Sequence, residues 1–111
     1  MFIVSGNSIS LISGDDGVLV VHPRNIALTS EDYAILSVRK ITSQGARGEL
    51  LVQMIEQPDL ENNRYIYVFP NKDTAEYPQG KYQWQIEFVF QNEHRIMSPG
   101  EFTVEKAVSQ E

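Results

Sequence analysis

Apolar and polar side chains alternate most regularly in residues 81–91. Because successive side chains of a strand point to opposite faces, this alternation predicts a β-strand. One face of that strand is large and apolar and the other is polar, which is typical of an antiparallel strand lying over a core. The apolar face consists of Tyr82, Trp84, Ile86, Phe88 and Phe90.

Shorter segments rich in β-forming residues precede and follow this strand. We predict further strands at 8–13, 17–22, 34–41, 49–57, 64–69, 94–97 and 101–107. Gly14-Asp15-Asp16 favours a tight turn that joins the first two as a β-hairpin. The apolar spacing of 49–57 also fits a helix, but Pro58 and the polar residues after it favour a strand.

The connections complete the predicted order of elements. Residues 42–48 are predicted to be a flexible connection, and 71–80 a loop with one helical turn at 73–77. The segment Ser98-Pro99-Gly100 ends the strand predicted at 94–97. The last third is therefore predicted to be a three-stranded meander.

Roughly seven to nine short strands at regular spacing, without a convincing long helix, indicate an all-β fold. We expect an antiparallel two-sheet β-sandwich of the immunoglobulin-like kind, with a closed barrel as the alternative. The chain has 111 residues, which fits a single domain spanning 1–111.

Composition narrows the classes of function. The absence of cysteine excludes disulfides, thiolate nucleophiles and the usual structural zinc sites. A net charge of −6 disfavours nucleic acid as a partner, because phosphate binding needs clustered Lys and Arg. No apolar run is long enough to span a bilayer, so a membrane is not expected as a partner. The first residues lack the features of a secretory signal, so we expect synthesis in the cytoplasm.

Several segments, taken in order, resemble one protein family. They are the turn Ile12-Ser13-Gly14-Asp15, Leu28 with the strand 32–39, the loop 69–75, the segment 78–86 and the closing 100–104. The most specific part is Asp73-Thr74 followed by Gly80-x-Tyr82-x-aromatic-x-Ile. Over nearly the whole chain, the series resembles the N-terminal domain of phage baseplate upper proteins and related prophage tail modules.

The resemblance implies a virion structural component of the phage tail or baseplate, made in the bacterial cytoplasm. Such domains attach a tail-fibre or receptor-binding part to the baseplate, usually in several copies. The partners implied are other phage tail or baseplate proteins, and a homo-oligomer is left open. Asp73 and Thr74 can cap backbone amides and fix the loop before a strand. The resemblance supports that structural role, and its motif adds Gly80 and Tyr82.

Residues with catalytic chemistry are few. His22 and His94 could each join a carboxylate in acid–base chemistry, but no nucleophile motif accompanies them. Two of Glu49, Glu56 and Glu87 could form a glycosidase pair, although glutamates on polar strand faces are ordinarily solvated. The 14–17 turn could hold a cation, but its spacing does not match an EF-hand loop. We therefore predict no enzyme, no catalytic or metal-binding residue and no cofactor.

The aromatic residues offer a different function. Tyr65, Tyr67, Tyr77, Tyr82 and Trp84 could form a platform on which sugars stack. Tyr82 and Trp84 share the apolar face of their strand, so burial is the simpler prediction for them. Tyr77 lies between Glu76 and Pro78 and is predicted to be the exposed contact. A carbohydrate-binding or adhesion module is accordingly the alternative to a tail protein.

Overall fold

The computed structural model describes residues 1–41, 47–91 and 93–106. In these residues it contains nine strands and one four-residue helix. They are β1 Phe2–Ser5, β2 Ser8–Ile12, β3 Gly17–Val21, β4 Tyr33–Ile41, β5 Arg47–Glu56, β6 Tyr65–Phe69, α1 Asn71–Thr74, β7 Gly80–Val89, β8 His94–Ile96 and β9 Gly100–Glu105. The predicted all-β fold is confirmed. The predicted connection at 42–48 and the predicted strand end at 107 lie partly outside the described residues.

Seven strands form the larger sheet, in the order β1-β2-β9-β7-β4-β5, with β8 also paired to β7. The pairs are antiparallel except β2 with β9, which run parallel. The prediction of a purely antiparallel sheet was therefore wrong, and the sheet is mixed. A parallel pair is possible here because β2 and β9 are far apart in sequence, so no tight turn forces them to run antiparallel.

The second sheet contains only β3 and β6, paired antiparallel from Gly17–Phe69 to Val21–Tyr65. It lies against the inner face of the larger sheet. The ring of Tyr65 is 5.8 Å from that of Phe88, and the ring of Phe69 is 6.0 Å from that of Phe102. The molecule is thus a two-layer, sandwich-like structure with two separate sheets instead of a closed barrel.

The alternation of apolar and polar residues in β7 corresponds to an alternation of buried and half-buried side chains. Tyr82, Trp84, Ile86 and Phe88 are buried, whereas the intervening glutamines are only half-buried. β7 lies between β4 on one side and β8 and β9 on the other, so its apolar face is at the centre of the core. This position suits the large apolar side chains that the strand carries.

The predicted hairpin around Gly14-Asp15-Asp16 was wrong. β2 pairs with β1 and β9, whereas β3 pairs with β6, so the turn carries the chain from one sheet to the other. Leu11 on β2 and Leu19 on β3 are both buried in the same core, which they enter from opposite layers. A hairpin within one sheet would not place them face to face.

The meander was also predicted wrongly. β8 and β9 both pair with the same edge of β7, through Glu87–Ile96 and Trp84–Gly100. They behave as one strand interrupted around Pro99, which has no N–H to donate to the ladder. The sequence reading also omitted β1.

The short helix begins earlier than the predicted 73–77. α1 starts at Asn71, directly after Pro70, and its first N–H donates to the Asp16 carboxylate at 2.7 Å. The predicted strand at 49–57 is confirmed as β5.

Candidate protein-interaction surface

The two-stranded sheet has apolar side chains on both faces. Its inner face is buried and consists of Leu19, Tyr65, Tyr67 and Phe69 with the half-buried Val21. Its outer face is also apolar, and we call it the aliphatic face: Val18, Val20, Ile66 and Val68. Cross-strand register places Val18 beside Val68 and Val20 beside Ile66. Strands that are apolar on both faces are typical of sheets that are covered on both sides.

The aliphatic face is open in the isolated chain. Val18 is 52% exposed and Val68 is 54% exposed. A sheet of two strands has little stability of its own and gains from a further layer or strand. Exposed apolar residues that are contiguous, and not scattered singly, are one feature of protein-interaction surfaces.

One end of the small sheet is fixed by the loop that contains Thr74. The Thr74 side chain is fully buried, and its Oγ1 donates to the Asp15 carbonyl at 2.8 Å and accepts from the Gly14 N–H at 3.2 Å. Ser13 Oγ donates in turn to the Thr74 carbonyl at 3.3 Å. Asp73, the neighbouring residue of the predicted pair, is exposed. The loop is therefore joined to the β2–β3 turn mainly through Thr74.

Gly80 and Tyr82 lie where the chain enters β7. The Tyr82 hydroxyl donates to the Pro78 carbonyl at 2.6 Å, so the ring fixes the loop that precedes its own strand. Tyr77 is not the freely exposed contact that we predicted. It is half-buried and packs against the core, and this burial raises the pKa of its hydroxyl.

The aromatic side chains proposed as a sugar-stacking platform belong to the interior. Tyr65, Tyr67, Tyr82 and Trp84 are buried, and Trp84 Nε1 donates to the Asn7 carbonyl at 2.9 Å. Burial of Tyr82 and Trp84 follows from the alternation of β7. A platform made from these rings is therefore excluded.

Two of the candidate titratable residues in the described part of the chain, His94 and Asp15, each make a simple pair. His94 Nε2 contacts Glu87 Oε2 on the exposed surface. Asp15 pairs with the N-terminal amine, and Asp16 accepts the Asn71 N–H, so the carboxylates of the 14–17 turn are engaged within the chain. Within residues 1–41, 47–91 and 93–106, no group of three or more His, Asp or Glu side chains could hold a metal ion.

Sequence reasoning missed the aliphatic face, although a signal for it was present. The runs Gly17-Val18-Leu19-Val20-Val21 and Tyr65-Ile66-Tyr67-Val68-Phe69 are apolar without interruption. Such runs indicate strands that are covered on both faces, unlike the alternating run of β7.

No protein-family model matches the chain, and no curated protein sequence matches it significantly. Among the helices in the described part of the chain, none is long and apolar enough to cross a membrane.

Proposed function

We propose that this chain is a non-catalytic protein-interaction module of a phage or prophage tail, and that a neighbouring tail protein covers its aliphatic face. The observation that carries the proposal is the outer face of β3 and β6, which presents four aliphatic side chains to solvent. Fully burying one Val or Ile side chain contributes ~1.5–3 kcal/mol. Covering four partly exposed ones would contribute several kcal/mol, from which the cost of association is subtracted.

The strand order supports an immunoglobulin-like topology for this module. The order β2-β9-β7-β4-β5 in one layer and β3-β6 in the other resembles an immunoglobulin-like sheet pair in which an early strand runs parallel to the last. The hydrogen bond from Tyr82 to the Pro78 carbonyl resembles the tyrosine corner of such domains. These two features support the assignment independently of the phage resemblance.

The tail assignment rests on the resemblance alone, and the structure gives the resembling segments a part in the fold. The 12–15 turn and Thr74 are hydrogen-bonded to each other, and the Gly80-x-Tyr82 motif opens the central strand. The resembling residues thus lie at positions that contribute to the fold. On this proposal the protein is located in the virion, where other tail or baseplate proteins, or further copies of this chain, surround it.

One observation favours the carbohydrate-binding alternative. The outer face of the larger sheet has a polar hollow of about 130 Å³ lined by Ser37, Gln53, Gln83 and Gln85 together with Ile35, Arg39 and Glu87. Gln53 Nε2 donates to Ser37 Oγ at 3.2 Å. Amide and hydroxyl groups of this kind can hydrogen-bond sugar hydroxyls. Binding on a glycan array that is lost in Gln53→Ala would favour this function over the first.

The test is the double variant Val18→Lys with Val68→Glu. The two residues are cross-strand neighbours, so opposite charges there can pair, and we expect the free energy of unfolding to change by less than ~1 kcal/mol. The parent should assemble with itself or with co-expressed products of the adjacent genes, as measured by size-exclusion chromatography with light scattering. The double variant should lose that assembly, because the charges cannot be covered by an apolar partner.

Ile55→Lys is the matched control, because Ile55 is an exposed aliphatic residue on the edge strand β5 of the other sheet. It should assemble like the parent. A folded double variant that still assembles, or a parent that forms no assembly with itself or with any of these gene products, would contradict the proposal.

A further inference from the structure

A groove opens along one side of the molecule between the two sheets. In the described residues, β3 pairs with β6 alone and β8 pairs with β7 alone, so each has a free edge. Between the end of β3 and β8 the groove encloses about 320 Å³. Its lining includes Val21, Arg24, Phe88, Phe90, Ile96 and Met97.

β1 covers the rest of the gap between the two sheets on this side of the molecule, next to the start of β3. β1 contacts β3, and the Phe2 ring lies 5.3 Å from that of Phe69 and against Gly17, where a Cβ atom would clash with it. The groove begins where this cover ends. No strand of the described chain covers the groove, whereas β1 covers the neighbouring part of the gap between the sheets.

The floor of the groove is apolar. Phe88 and Phe90 stack with their ring centroids 5.6 Å apart, and both are nearly fully buried. Val21 and Met97 are half-buried beside them. An apolar side chain that entered the groove would remove these surfaces from water, which is favourable.

The rim carries two arginines, Arg24 and Arg95, on a chain whose net charge is −6. Arg95 lies over the Phe90 ring at 5.4 Å, is paired with Glu93, and donates to the Arg24 carbonyl at 3.1 Å. The Arg24 and His22 side chains are exposed on the same rim. Of these groups, Arg24 is available to an acidic side chain of a ligand.

We propose that the groove binds an extended segment of another protein, which adds a strand at the free edge of β3. One apolar side chain of the segment enters the groove, and a neighbouring acidic side chain pairs with Arg24. Strand addition supplies backbone hydrogen bonds, while pockets for alternate side chains give specificity. The proposal rests on the proposed function only in that the chain binds protein. It uses the free edge of β3 and the groove beyond it, whereas the proposed function uses the outward-facing side chains of the aliphatic face.

A flat face of a second copy fits this groove less well. Stable interfaces between globular partners bury about 800 Å² on each side, whereas the groove accommodates one or two side chains. An extended strand makes up for the small area through backbone pairing, and it gives the two-stranded sheet a third strand.

The experiment selects ligands without assuming a partner. A yeast-displayed library of random dodecapeptides is selected against the full chain, and soluble versions of the enriched peptides are measured by fluorescence anisotropy. We expect alternating apolar residues with an acidic residue among them. Peptide binding should shift backbone amide resonances of β3 and β8 in ¹H–¹⁵N spectra.

Two variants of matched exposure separate the groove from general surface effects. Ile96 and Ile55 are each 61% exposed, but only Ile96 lines the groove. Ile96→Asp should weaken binding about tenfold or more, because it adds a negative charge where the ligand is acidic, whereas Ile55→Asp should leave binding unchanged. Arg24→Gln should weaken binding of the acidic peptides and not of their Asp→Asn versions.

The proposal would be overturned by enriched peptides that bind Ile96→Asp as tightly as the parent or that lack acidic residues. It would also be overturned if the peptides shifted the resonances of other residues, or if the library yielded no binder. The variant Val18→Lys with Val68→Glu should keep its peptide binding. A failure of assembly with intact peptide binding would contradict only the proposed function. A failure of peptide binding with intact assembly would contradict only the proposal for the groove.

Discussion

Two tyrosines on the inner face of β6 differ in the partner of their hydroxyl group. Both rings are fully buried in the core. The Tyr67 hydroxyl donates to the Ala34 carbonyl at 3.0 Å, which links the small sheet to β4. The Tyr65 hydroxyl is buried and has no hydrogen-bond partner among the described residues. A buried polar group without a partner lowers stability, whereas one with a partner contributes to it.

Replacing each tyrosine by phenylalanine should therefore have opposite effects. Tyr67→Phe leaves the buried Ala34 carbonyl without this donor, and we expect the free energy of unfolding to fall by ~1–3 kcal/mol. Tyr65→Phe removes the unpartnered hydroxyl and should be neutral or stabilising by up to ~1 kcal/mol. Urea denaturation followed by fluorescence measures both values. Equal destabilisation by the two substitutions would show that the Tyr65 hydroxyl has a partner in solution.

At the scale of elements, Asp32 joins two loops at the same end of the sandwich. The residue is almost completely buried. Its Oδ2 accepts the Thr29 N–H at 2.8 Å within the β3–β4 connection, and its Oδ1 accepts the Gln91 N–H at 3.0 Å just after β7. One carboxylate thus holds together the two segments that flank the apolar groove.

Asp32→Ala should destabilise the domain and loosen this end specifically. It leaves two N–H groups without their acceptor, so we expect a loss of ~2–4 kcal/mol if each costs ~1–2 kcal/mol. Amide hydrogen exchange should rise most at Thr29 and Gln91. Glu31→Gln, at an exposed neighbouring position, is the control and should change neither quantity. Uniformly raised exchange over all strands would argue against a local connection.

Sequence patterns predicted the strands better than the way in which they pair. The alternation in β4 and β7 was sufficient to place them, because a half-buried strand must alternate. The partners of β2 and β3 could not be read from the turn Gly14-Asp15-Asp16, since the same residues can reverse a strand or change sheets. Likewise, nothing local to β8 and β9 indicates that they share one edge of β7.

The candidate surfaces also differ in how far the sequence alone could predict them. The apolar runs of β3 and β6 contained the information for the aliphatic face, and the loop role of Thr74 followed from its type and position. The groove depended on tertiary structure, because it brings the end of β3 beside Phe88 and Met97. The exposure predicted for Tyr77 failed because a polar loop can still pack an aromatic ring on the core.

For the whole molecule, the buried tyrosines couple stability to high pH. Burial, with a smaller contribution from the Asp32 carboxylate, raises the pKa of Tyr65 from 10.0 to about 12. Burial also raises the pKa of Tyr67, and more strongly. In the folded state both phenols therefore stay neutral at pH values where the unfolded chain loses those protons.

The contribution of these two phenols to the free energy of unfolding should therefore not change below about pH 9. It should fall as the pH rises from 10.0 to about 12. The unfolded state binds fewer protons there, so each buried tyrosine lowers the free energy of unfolding by ~1.4 kcal/mol per pH unit. Tyr65→Phe removes one such group and should reduce the slope by that amount, while Lys deprotonation and the net charge affect both proteins alike. Urea denaturation at a series of alkaline pH values gives the slopes, and tyrosinate absorbance reports the ionisation directly. Parallel slopes for the two proteins would mean that Tyr65 ionises in the folded state, and hence that its ring is not enclosed between the sheets.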